Sequence, residues 1–248
     1  MRRRRYSLKE IDSSWSMVNR SIEKSELDTQ EVLSYYDRFY VSDDFRYYPE
    51  KLTRKFFKGI FAKCHINPPG KILDVGCGTG YYCKIFHEMG FQSVGVDFSQ
   101  TAIARAKEKH PNLEFSAADA TNLPFEPLSF DVVLSYGCSV VSTYHISKIH
   151  DYVRHLMTFV KPGGWLLLIG GSNLSGRRHE TSSWLSHTWA NLLQFVPEGG
   201  CGVLGPYLSH VRLVAAVGRF GLNPIVTSLL RPLGFHFVRS TFHLIQKV

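Results

Sequence analysis

Three carboxylates and three glycines carry the chemistry written into this chain. Asp74 lies in Ile72-Leu73-Asp74-Val75, directly before Gly76-Cys77-Gly78-Thr79-Gly80. Asp97 ends Ser93-Val94-Gly95-Val96-Asp97, 21 residues after Gly76, and Asp119 follows Leu113-Glu114-Phe115-Ser116-Ala117. Glycines let a main chain turn sharply and approach a ligand closely. A carboxylate placed like Asp97 accepts hydrogen bonds from a ribose diol. One placed like Asp119 receives a donor such as an adenine amine. Asp74 can brace backbone N–H groups or take an ammonium, directly or through water. Three acids around one turn suit a ligand with a positive end better than one with several phosphates. The alternative for Asp97 is a carboxylate that caps the next helix.

The spacing narrows the ligand. A dinucleotide site wants G-x-G-x-x-G, and here Tyr81 stands where the third glycine would fall. A phosphate-binding Walker loop ends in G-K-[ST], which this loop lacks.

These groups need a scaffold that lines up strand ends. Apolar runs at 71–75, 93–97, 113–117, 130–135 and 165–169 predict strands, alternating with helical patterns at 81–89, 100–109 and 147–160. Such alternation requires a mostly parallel α/β sheet with helices on both faces, and ligands bind beyond its carboxyl ends. Phe235–Val238 and Phe242–Ile245 read as two short strands that complete a seven-stranded, doubly wound sheet. Residues 1–69 form a tail and helices, one of them at 50–65 after Pro49, that cover a sheet face or make a lid bearing Tyr35, Tyr36, Tyr40, Tyr47 and Tyr48. Residues 70–248 form the main domain, and 171–228, too long for a plain connection, reads as a cap insertion.

Composition sets outer limits. The chain of 248 residues is 44% hydrophobic, enough for a sizeable core. No run reaches the roughly 18 apolar residues of a transmembrane segment, and residues 1–30 lack the apolar core of a signal peptide. The net charge of +8 owes much to Arg2–Arg5, read first as a solvated tail and otherwise as a contact for an anionic surface or nucleic acid. Five cysteines without a CxxC pair favour neither zinc nor a disulfide framework, so no metal and a reducing, cytoplasmic setting are expected.

Taken together, Ile72–Gly80, Val94–Ser99, Ala118–Ala120 with Leu123-Pro124-Phe125, Phe130–Val133 and Val160–Gly164 resemble the motifs of class I S-adenosylmethionine-dependent methyltransferases of the small-molecule kind. The resemblance covers about residues 70–170. It implies a Rossmann-like sheet with an antiparallel last strand, and S-adenosyl-L-methionine as cofactor. By position, Gly76, Cys77, Gly78 and Gly80 would face the methionyl part. Asp97 would hold the ribose, with Phe98 beside the adenine and Asp119 and Ala120 at its edge. Ser135, next to Tyr136, would approach the sulfonium. An N-terminal tyrosine helix often closes the site in this family, which suits Tyr36. A general base is needed only for a poor nucleophile. His145, with neighbouring Tyr144, is best placed, and His179 and His187 follow. Ser135-Tyr136-Gly137-Cys138 lacks the Pro-Pro motif of DNA amino-methylating members. The expectation is therefore an enzyme that methylates an oxygen or nitrogen of a small, partly apolar molecule, as a monomer or homodimer, with no nucleic-acid partner. The alternatives are a protein or RNA methyltransferase that uses the basic N-terminus, and a non-enzymatic regulator that binds the same cofactor.

Overall fold

Crossing the sheet from edge to edge, its strands are Glu114–Ala117, Gln92–Asp97, Lys71–Val75, Phe130–Tyr136, Val160–Gly170, Thr241–Lys247 and Cys201–Leu208. The computed structural model describes residues 36, 37, 40, 47, 49–142, 146–170, 172–173, 187–188, 201–208 and 241–247. The strands are β1 (Lys71–Val75), β2 (Gln92–Asp97), β3 (Glu114–Ala117), β4 (Phe130–Tyr136), β5 (Val160–Gly170), β6 (Ser172–Asn173), β7 (His187–Thr188), β8 (Cys201–Leu208) and β9 (Thr241–Lys247). β1 to β5 pair in parallel, whereas β9 runs antiparallel to both β5 and β8. β6 and β7 form a separate parallel pair. The helices are α1 (Glu50–Lys63), α2 (Tyr81–Glu88), α3 (Gln100–Lys109) and α4 (Ile146–Phe159).

The predicted alternation holds through β5, and α3 keeps the predicted bounds of 100–109. The sixth strand differs. Cys201–Leu208 supplies it from inside the stretch read as a cap, and Phe235–Val238 lies outside the described residues. The register of β8 shifts between Leu204 and Tyr207, around Gly205 and Pro206. Proline is tolerated there because the strand is at the sheet edge and bulged.

Strand alternation sorts the core into two layers. Leu73, Val75, Val94, Val96, Val133, Leu166 and Leu168 pack against Ile149, Val153 and Leu156 of α4. Ile72, Val132, Leu134, Leu167 and Ile169 pack against Phe57 and Phe61 of α1 and Ile85 and Phe86 of α2. A smaller cluster of Cys77, Cys83, Ile103, Ala106 and Phe115 ties the turn after β1 to α2, α3 and β3. The strand order reverses between β1 and β4. Val75 pairs with both Val96 and Ser135, so three strands end level at that crevice.

Candidate active site at the carboxyl ends of the strands

The turn leaving β1 bends over β2. Gly76 N and Cys77 N both donate to Val96 O, at 2.8 and 2.9 Å. Gly76, Gly78 and Gly80 all have positive φ, but only two face serious steric limits. A Cβ on Gly80 would lie 2.6 Å from Phe115 Cζ, and one on Gly78 would lie 3.0 Å from Tyr40 Oη. Gly80 is thus demanded by packing of the helix start against β3. Gly78 leaves room for tyrosine hydroxyls. Gly76 is exposed, and a Cβ there would meet nothing closer than Cys138 Cβ at 3.9 Å.

Asp97 fastens the turn from the side. Its Oδ2 accepts from Gly78 N and its Oδ1 from Ser99 N, each at 2.9 Å. Ser99, not Asp97, caps α3, because its Oγ accepts from Ala102 N at 3.0 Å. Burial raises the Asp97 carboxyl above its usual range, and the backbone donors of Ser99 and Gly78 oppose that rise. Each carboxylate oxygen offers two lone-pair directions, so Asp97 keeps capacity for a diol.

Asp74 is fully buried. Its Oδ2 takes the Cys83 thiol at 3.6 Å, while Oδ1 has no hydrogen-bond partner. Burial pushes its carboxyl up to about 7, the Cys83 hydrogen bond lowers it and the Asp97 charge raises it. An orphaned buried carboxylate oxygen beside an open glycine fits a cationic group. Asp119 is exposed. Its Oδ1 accepts from Thr121 N and Oγ1, both at 2.8 Å, and Ala118 N reaches Asp97 O at 3.0 Å, which holds the two strand ends together. Ala120 is half-buried against the α4 layer, and Phe98 is 37% exposed, a large apolar ring left at the rim.

The β4 end splits by strand parity. Ser135 faces α4, is fully buried and bonds Tyr152 Oη at 2.9 Å. Its hydroxyl therefore lies in the core under the crevice. Tyr136 faces the other way and packs on Tyr82 at 4.9 Å between ring centroids. Gly137 N donates to Ile169 O at 2.8 Å, which sets Cys138 beside Gly76.

Described N-terminal residues sit on this turn. Tyr47 Oη lies 3.3 Å from Thr79 Oγ1, and the Tyr47 ring stacks on Tyr81 at 4.2 Å. Burial pushes the Tyr47 phenol up to about 12 and raises that of Tyr40. Tyr36 stacks on Tyr40 at 6.3 Å. Ser99 Oγ donates to Asp37 Oδ1, so a second N-terminal residue reaches the loop after Asp97. Cys83, Tyr82, Thr79, Asp37 and Tyr152 escaped the sequence reading. Only Tyr82 offered a signal, as an aromatic at the second position of the helix after the glycines. His145, Tyr144 and His179 lie outside the described residues. His187 opens β7, of which the backbone alone is described.

A parallel sheet with one reversed strand, acids at three successive strand ends and a glycine turn at the switch point define the class I methyltransferase architecture. Residues 72–164 match the family model described as "Methyltransferase domain". That stretch of the chain is thus similar to known methyltransferase domains. The chain is 32% identical over 117 residues to demethylmenaquinone methyltransferase of Renibacterium salmoninarum, covering 47% of each chain. It is 36% identical over 110 residues to phthiotriol/phenolphthiotriol dimycocerosates methyltransferase 1 of Mycobacterium ulcerans, covering 42% of this chain and 38% of that one. The matches thus span less than half the length of these curated relatives. In fold, an S-adenosylmethionine-dependent methyltransferase from Clostridium acetobutylicum superposes with a TM-score of 0.60 at 13% identity, covering 88% of this chain and 98% of that one.

Proposed function

We propose that the protein moves a methyl group from S-adenosyl-L-methionine to an oxygen or nitrogen of a small, partly apolar molecule. The observation that carries this reading is the orphaned, buried Asp74 oxygen set beside the glycine turn, with Asp97 one strand away. When bound, the cofactor supplies a methyl group already activated on a sulfonium. In this reading Asp74 receives the methionyl ammonium, and the exposed Gly76, with Cys77 buried next to it, lets the cofactor approach the main chain. Asp97 holds the ribose diol while keeping Gly78 and Ser99 in place. Phe98 covers the adenine plane, with Asp119 and Ala120 at its edge. Tyr40 and Tyr47, with Tyr36 behind, exclude water from the methyl-bearing end. Tyr136 and Cys138 wall the acceptor side, and Ser135 supports that wall through Tyr152.

The protein's remaining contribution is alignment of the acceptor lone pair with the bond to be broken. His145, or Tyr144, serves as base where the acceptor must lose a proton. The acceptor class is supported by the half-buried aromatic wall and by relatives named for demethylmenaquinone and phthiotriol dimycocerosates. Four thiols, Cys64, Cys77, Cys83 and Cys138, are free, which supports a reducing, cytoplasmic setting. Among the described residues no helix is long and apolar enough to cross a membrane.

Calorimetric titration with S-adenosylmethionine and its demethylated product, followed by labelled-methyl transfer to a panel of phenols, quinols and amines, tests the reading. Uptake of both ligands and label on an apolar acceptor are expected. Folded protein that takes up neither ligand sinks the proposal. Uptake without transfer to any acceptor would favour the regulator.

A further inference from the structure

One face of α1 carries charge that the site does not use. Lys51, Lys55 and Lys58 are exposed and recur at i, i+4 and i+7, within about a 60° arc of the helix. None of the three forms an ion pair among the described residues. The one acid of the helix, Glu50, is turned to Arg54 and Lys84, so it does not neutralise the row. Lys63 adds a cation in the last turn. Beside the row lie Leu52 and Phe56, half-buried and one turn apart, an apolar shoulder between the lysines and the core face.

That combination selects its partner. Nucleic-acid contacts favour guanidinium forks and planar stacking, whereas lysines are compact point charges suited to a diffuse anionic layer. Cations flanked by apolar side chains match the boundary between headgroups and acyl chains. The surface is also wired to the site. Thr53 Oγ1 on α1 lies 3.0 Å from Tyr81 Oη, and Tyr81 stacks on Tyr47, which reaches Thr79 in the glycine turn.

We propose that the exposed face of α1 docks the protein on an anionic lipid bilayer through Lys51, Lys55 and Lys58, and so holds the site at the membrane surface. The charge pattern stands whichever acceptor is methylated. The test is sedimentation of the full chain with vesicles of phosphatidylcholine mixed with phosphatidylglycerol, and with phosphatidylcholine alone, at physiological ionic strength. The wild type is expected on the mixed vesicles only. The variant Lys51→Gln/Lys55→Gln/Lys58→Gln should lose roughly a hundred-fold in partitioning, given the usual contribution of each juxtamembrane lysine. The control Lys107→Gln/Lys109→Gln/Lys148→Gln removes equal charge from α3 and α4 and should shift partitioning by no more than about threefold, since screened charges off the contact act weakly. Far-UV circular dichroism should be alike for all three proteins. Equal losses in both variants would reduce the effect to net charge and overturn the proposal. So would unchanged binding of the α1 variant, equal binding to phosphatidylcholine, or no vesicle binding. Loss of duplex or single-stranded RNA binding by the α1 variant, without vesicle binding, would assign the face to nucleic acid instead.

Discussion

The two faces of the sheet bury different things. Against α4 lie Leu73, Val75, Val94, Val96, Val133 and Leu166, with the Ser135–Tyr152 hydroxyl pair, which also reaches the Cys138 thiol, as a polar contact. On the α2 and α3 side the same strands bury Asp74 and Asp97, two thiols and two glycines pressed against Phe115. Apolar packing is satisfied without a ligand. Buried carboxylates are not, unless donors or cations reach them. The α4 face is therefore almost wholly apolar, whereas the other side adds, to its own apolar layer against α1 and α2, polarity held in place for something that binds.

Substitutions at the glycines should separate these roles most widely. Gly80→Ala puts a Cβ into the Phe115 ring at φ 82° and should cost at least about 3 kcal/mol in urea melts. Gly76→Ala meets open space and carries only left-handed strain, about 1–2 kcal/mol. Equal losses at both positions would erase the distinction between packing glycine and ligand glycine.

Next in size is Asp97→Ala, which removes the partner of Gly78 N and the proposed ribose acceptor. Its dissociation constant for S-adenosylmethionine, measured by calorimetry, should rise about a hundred-fold. An unchanged constant would leave Asp97 a structural brace and nothing more.

Asp74 sharpens the comparison through pH. Its folded pKa of about 7 lies above the ordinary 3.8, so the folded state holds its proton more tightly than the unfolded chain. The stabilising contribution is full below about pH 4 and is lost as pH rises toward 7, a few kcal/mol in all. The difference in unfolding free energy between wild type and Asp74→Asn should therefore slope across that window and flatten above it. Donor affinity should rise through the same window in the wild type but not in the variant. A flat difference would mean that Asp74 is ionised throughout.

The smallest effect belongs to the dry face. Tyr152→Phe breaks the contacts with Ser135 and with the Cys138 thiol and should cost about 1 kcal/mol, with donor affinity unchanged. A large loss of donor affinity would show that the β4 end feels its far side.

Much of this division was legible in the chain itself. Apolar runs and glycines are local signals, so β1 to β4, the turn and α3 fell where periodicity put them, whereas β5 begins five residues before the predicted 165, at Val160. Asp74 and Asp97 were read as site groups, and both lie at the glycine turn. Strand parity, which turns Ser135 toward α4 and Tyr136 toward α2, needs a strand's true register, and one position decides it. Cys201–Leu208 fell inside the stretch read as a cap, and Gly202, Gly205 and Pro206 punctuate it. It becomes a strand through pairing with β9, more than thirty residues on. Contacts such as Asp37 with Ser99 leave no local trace at all.

Phe115 fills a notch left by two missing side chains, at Gly80 and Gly95, with ideal Cβ positions 2.6 Å from its ring in both cases. The three positions behave as one mechanical part. A smaller residue at 115 should relieve the ring clash of alanine at either position, but Cys77 Sγ at 2.9 Å still crowds position 95, and His110 at 3.0 Å and the left-handed φ still penalise position 80. Homologous chains should then swap ring and glycines together, and drift at any single member of the trio should be rare.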